Sequence, residues 1–63
     1  MAGLRVLIVA NNAAFAEDAD AETARILEEL AARVRAGGMP AAGEIVRLRD
    51  FNGNDCGNAR RLG

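Results

Sequence analysis

Few side chains in this sequence are equipped for chemistry. Catalysis requires a positioned acid, base or nucleophile, and the chain contains no His, Lys, Tyr or Trp. Cys56 is its one thiol and Thr23 its one hydroxyl. Arg47, Arg49 and Arg60 are close enough in sequence to lower the Cys56 pKa. No base accompanies the thiol, however, and its expected neighbour across a hairpin is Leu48, so Cys56 reads as a packing residue. Asp50 and Asp55 flank the oxygen-rich run Asp50-Phe51-Asn52-Gly53-Asn54-Asp55. A calcium loop of the EF-hand kind needs its Gly later and a Glu six residues beyond it, so a tight turn is the better reading. Gly37-Gly38 follows a helix rather than opening one, which excludes a phosphate loop. With one Cys an intrachain disulfide is impossible, and without His a zinc site would need an all-carboxylate or shared shell, which is not expected. No cofactor or metal is expected, and the chain reads as non-enzymatic.

The remaining chemistry is recognition. All eight basic residues are arginine, and Arg47, Arg49, Arg60 and Arg61 fall in one C-terminal segment. Such a group can contact phosphates or an acidic protein surface. Glu44, Asp50 and Asp55 share the segment, Phe51 is its one aromatic, and the net charge is −1. Nucleic acid is therefore the disfavoured partner.

Three elements must position these residues. Residues 4 to 10 are rich in branched side chains and end at Asn11-Asn12, which predicts a strand. Leu4, Val6, Ile8 and Ala10 point one way; Arg5, Leu7 and Val9 point the other. Residues 19 to 36 are predicted helical. Asp18 is the preferred N-cap, ahead of Asp20, and Gly37-Gly38 with Pro40 form the stop. Leu27, Leu30, Ala31 and Val34 recur at helical spacing, with Ala24 and Ile26 widening the stripe. Arg25–Glu29 and Glu29–Arg33 are spaced for ion pairs on the outer face. Residues 44 to 62 read as a hairpin. A type I turn at Asp50–Gly53 with Gly53 left-handed opposes Arg49 to Asp55 and Leu48 to Cys56. A two-residue Asn-Gly turn would instead oppose Asp50 to Asp55. The expected fold is α+β: one β-α-β-β domain spanning residues 1 to 63, with one helix packed on one face of a three-stranded sheet. Placing the third strand between the first two is the favoured strand order.

Size makes this fold marginal. The chain has 63 residues and is 51% apolar, but fourteen of the apolar residues are alanine, so the core must be small. Domains of this length bury only about 60% of their unfolded surface, and self-association or a partner is a common remedy. No apolar run approaches the roughly 18 residues of a membrane span, and the run Val6–Ala10 is too short for a secretion signal. A cytoplasmic protein without membrane contact is expected.

One helix can cover only one face of such a sheet. Leu7 and Val9 should lie on the bare face, together with either Val46 and Leu48 or Ile45 and two arginines. Bare apolar sheet marks an interaction surface, for a second copy packed face to face or for another protein. An open strand edge could also extend a partner's sheet. The candidate contact residues are Leu7, Val9, Arg47, Arg49, Phe51 and Arg60. Phe15, isolated among alanines, is expected to plug one end of the core.

Asn12-Ala13-Ala14-Phe15, the following acidic cluster, Glu22 to Ala31, and Leu48-Arg49-Asp50-Phe51-Asn52-Gly53-Asn54 with Gly57 together resemble a family of small phage and prophage proteins. The shared pattern covers nearly the whole chain and consists of structural motifs: cap, helix face and turn. The resemblance carries over no catalytic residue. In that family the positions of Leu7 and Val9 are commonly polar, so their apolar character marks a surface particular to this chain. The resemblance implies a host protein as partner, and an inhibitor of host defence of the anti-CRISPR type as the leading function. An accessory or structural phage protein acting as a homodimer is the alternative.

Overall fold

The computed structural model describes residues 3–63. Its elements are β1 (Gly3–Ile8), a 3-10 turn (Ala13–Phe15), α1 (Ala19–Gly37), β2 (Ile45–Arg49) and β3 (Asp55–Leu62). The strands form one sheet in the order β1-β3-β2, and both pairings to β3 are antiparallel. The fold is therefore the expected α+β arrangement, with the third strand in the middle. The first strand stops at Ile8 rather than Ala10. One ladder bond persists beyond it, from the Val9 N–H to the Cys56 carbonyl at 2.7 Å.

Local chemistry explains the element ends. Asp18 caps α1, its side chain accepting from the Ala21 N–H at 2.9 Å, so one orphan donor of the first turn is satisfied. Gly38 ends the helix at φ 83° while its N–H bonds to the Val34 carbonyl, a left-handed conformation that glycine adopts without a Cβ penalty. In the hairpin the Gly53 N–H bonds to the Asp50 carbonyl and the Asp50 N–H to the Asn54 carbonyl, both at 2.9 Å. Gly53 is left-handed at φ 83°. This is the expected three-residue loop, and Arg49 lies opposite Asp55 as expected.

The next pair corrects the expected register. Leu48 opposes Gly57, not Cys56, and the ladder shifts between Leu48 and Arg49. Cys56 is the extra residue of a β-bulge. Cys56 and Ala59 are both buried, yet they are three residues apart, and a regular strand would send them to opposite faces. The extra residue reverses the alternation, so both reach the core.

That core consists of Ala14, Phe15, Ile26, Leu30, Val46, Leu48, Cys56 and Ala59, with Leu4, Ile8 and Val34 packed at its margin. Phe15 closes one end, as expected. The helix stripe is narrower than the sequence spacing suggests. Ile26 and Leu30 are buried, whereas Leu27 is 45% exposed and Ala31 is also exposed. Three strands about 4.8 Å apart make a sheet roughly 10 Å wide, no wider than one helix. Such a sheet covers a single row of helix side chains.

Gly57 is where this geometry is tightest. A Cβ there would run into the carbonyl of Leu7 and lie 3.1 Å from the Ile8 Cα. These are backbone atoms that cannot swing away. Gly57→Ala should destabilise the fold by about 3 kcal/mol, the upper end of overpacking costs, measured as a lower urea midpoint. A loss below about 0.5 kcal/mol would show that β1 and β3 do not approach this closely.

Candidate interaction surface

Two carboxylates hold the hairpin turn against the rest of the chain. Glu22, in the first turn of α1, is buried. It takes a two-pronged contact from Arg25, Nε at 2.7 Å and Nη2 at 2.8 Å, and accepts the Phe51 N–H at 2.8 Å. Asp50, also buried, accepts the Asn12 side-chain amide at 2.6 Å and the N–H groups of Asn52 and Asn54 at 2.9 and 3.0 Å. Asp55 is exposed, and Arg47 reaches it at 3.4 Å. Asp50 and Asp55 are thus separate structural groups. Arg25 also pairs with Glu29 at 2.7 Å. The expected Glu29–Arg33 pair is not among the ion pairs of the described residues.

Cys56 is buried and its thiol lies 3.5 Å from the Leu48 carbonyl. Burial pushes the thiol pKa up, and the charges of Asp50 and Asp55 push the same way. A thiol held in its protonated form is a poor nucleophile.

The sheet face away from α1 is open. On β2 it presents Ile45, Arg47 and Arg49, while Val46 and Leu48 are buried. Of the two arrangements expected for β2, the one with arginines outward holds. The bulge places Asn58, Arg60 and Leu62 of β3 on the same outward face. From β1 come Arg5 and Leu7. Arg5, Arg60 and Ile45 form one row across the three strands, and Leu7, Asn58 and Arg47 the next. Leu7 is 54% exposed and Ile45 50%. Val9 is exposed just beyond the strand.

Arg49 donates to the Gly53 carbonyl at 3.2 Å. Arg5 and Arg60, by contrast, stand directly opposite each other and make no ion pair with any described residue.

The outward face thus brings together Leu7, Arg47, Arg49 and Arg60 from the sequence-based candidates. Phe51 is exposed at the turn, off this face. Arg61 lies on the helix side, where its Nη1 donates to the Pro40 carbonyl at 3.3 Å. Arg5 was not among the candidates, although strand alternation puts it on the face of Leu7; the β1–β3 register sets it opposite Arg60. Pairing of two arginines directly across a sheet is destabilising, and this pair lies among exposed aliphatics.

The described residues define a small α+β domain with a basic and aliphatic open sheet face. No family model, curated protein or solved structure matches the chain. No helix among the described residues is long and apolar enough to cross a membrane.

Two measurements follow. Replacing Arg60 by Gln should raise stability by a few tenths of a kcal/mol at low ionic strength, and the gain should vanish near about 1 M salt, where exposed charges are screened. A loss of stability instead would show that Arg60 has a stabilising partner. Glu22 supplies the second. Its Arg25 contact, aided by the Phe51 N–H, holds its carboxyl below the ordinary range against the opposing effect of burial. A lowered folded pKa gives stability that is present above the unfolded value, roughly 4.3, and lost as pH falls through the folded one. The difference in thermal midpoint between wild type and Glu22→Gln should therefore shrink on acidification from neutral pH. A difference that stays constant down to about pH 2 would rule out this linkage.

Proposed function

We propose that the chain is a non-enzymatic binding protein that docks an acidic protein surface on the outward face of its sheet. The observation that carries this reading is the Arg5–Arg60 pair, opposed without a counter-ion among the described residues and bordered by exposed Leu7 and Ile45. Carboxylates of a partner would relieve the repulsion, and guanidinium groups suit them through two parallel hydrogen bonds. The aliphatic side chains would supply the apolar centre that a protein contact uses.

Two other occupants of this face fit less well. Single-stranded nucleic acid is bound by stacking bases on aromatic rings, whereas the outward face has no aromatic: Phe15 is in the core and Phe51 at the turn. A second copy packed face to face would bring Arg5, Arg47 and Arg60 of both chains together.

The resemblance to small phage and prophage proteins supports a host protein as the partner and inhibition, of the anti-CRISPR kind, as the outcome. On this reading the protein works in the host cytoplasm.

Affinity capture from host lysate tests the proposal. The wild type should retain a defined host protein, and Arg60→Glu or Leu7→Asp should weaken retention roughly tenfold or more, as for loss of one charge-assisted contact. Arg33→Glu, on the exposed side of α1, should retain it. Capture that survives both sheet substitutions would place the contact elsewhere.

A further inference from the structure

Both outer strands of the sheet have an open edge, and the two edges differ. Beside β2 the cleft under α1 is rimmed by Glu29, Arg33, Arg47 and Arg49, and Arg25 reaches the Arg49 carbonyl at 3.4 Å. Charges of this kind protect an edge against pairing with another chain. Beside β1 the groove is lined by Leu4, Leu27, Leu30, Ala31 and Val34, with Arg35 the one charged group. Val6 at 37% and Leu27 at 45% remain exposed there. β1 itself carries a single charge, Arg5.

The direction of the free β1 amides follows from the ladder. The Val9 N–H bonds inward to Cys56, and amides alternate in direction along an antiparallel strand. Those of Leu4, Val6 and Ile8 therefore point to the open edge.

We infer that β1 pairs antiparallel with β1 of a second copy, about a two-fold axis at Val6, extending the three-stranded sheet into a continuous six-stranded one. Self-complementarity selects this occupant. Pairing about Val6 opposes Leu4 to Ile8, so the two copies line up Leu4, Val6 and Ile8 as one aliphatic run on the helix side. On the outward side it sets Arg5 against the second copy's Leu7, so the two Arg5 side chains are diagonal and not direct neighbours. The same operation on β2, about Arg47, would oppose Arg47 to itself, an unfavourable like-charge contact. A two-fold contact uses one patch twice, and β1 is the edge whose sequence tolerates its own reflection. The core also has reason to be extended, since three of its eight buried residues are Ala14, Cys56 and Ala59. The outward face remains open in this dimer, so the inference stands apart from the docking reading above.

Sedimentation equilibrium and amide hydrogen exchange on the intact chain test it. The wild type should show twice the chain mass at high micromolar concentration, and the Leu4, Val6 and Ile8 amides should be protected. Val6→Lys should give a monomer in which the amides at positions 4, 6 and 8 all exchange freely. Leu27→Lys, on the exposed side of a helix, keeps the fold secure and should weaken the dimer at least tenfold. Arg60→Glu, which tests docking on the outward face, should leave the dimer intact. A wild type that stays monomeric, or free exchange at all three amides, would overturn the inference. So would a dimer untouched by both lysine substitutions, whatever Arg60→Glu does.

Discussion

The extra residue at Cys56 decides which side chains of the central strand meet the helix and which meet the outside. A strand of 2.0-residue period cannot bury both Cys56 and Ala59; with the bulge it does. The same reversal turns Arg60 outward opposite Arg5, and Asn58 outward between Leu7 and Arg47. Without it, Arg60 and Asn58 would point at Ile26 and Leu30, and Gly57 and Ala59 would form the outer surface. Gly57 is the local condition for the bulge, because the β1 backbone passes where its Cβ would be. Core and surface therefore depend on one backbone irregularity and one missing methyl group.

Much of the framework was legible beforehand because local chemistry specifies it. Asp18 as cap, Gly38 as stop, and Asp50 with left-handed Gly53 in the turn each satisfy backbone groups within a few residues of themselves. What escaped was set at long range. The bulge is visible only once Cys56 and Ala59 are known to share a face. Leu27 fits the helical spacing of the apolar stripe, but the sheet is too narrow to reach it. Arg5 looked like one charge in an apolar strand until the register set it against Arg60. The outward face was thus largely read: Leu7, Arg47, Arg49 and Arg60 were candidates for the right surface, Arg5 shared the face of Leu7 by alternation, and only its opposition to Arg60 needed the pairing.

Glu22 and Asp50 show how a domain with so few large apolar residues keeps its parts in place. Each carboxylate is buried, and each collects hydrogen bonds from a segment distant in sequence: Phe51 for Glu22, Asn12 for Asp50. They tie the hairpin turn to the start of α1 and to the 3-10 turn. Such groups are costly to bury unpaired, and here Arg25 and backbone N–H groups answer them. Polar stapling supplements a short hydrophobic core in fixing one arrangement of helix and sheet.

The helix and the open sheet face also differ in sign. Glu17, Asp18, Asp20, Glu22, Glu28 and Glu29 all belong to α1 or its approach, whereas Arg5, Arg47, Arg49 and Arg60 lie on the opposite side of the sheet. The near-zero total conceals a modest electric dipole across the thickness of the molecule, since Arg25, Arg33 and Arg35 offset half of the helix carboxylates. In the field of a negatively charged body the protein would turn its sheet inward before contact, so orientation during approach is partly settled by long-range forces. A chain that is formally a weak anion would then adhere to a cation exchanger through one side only.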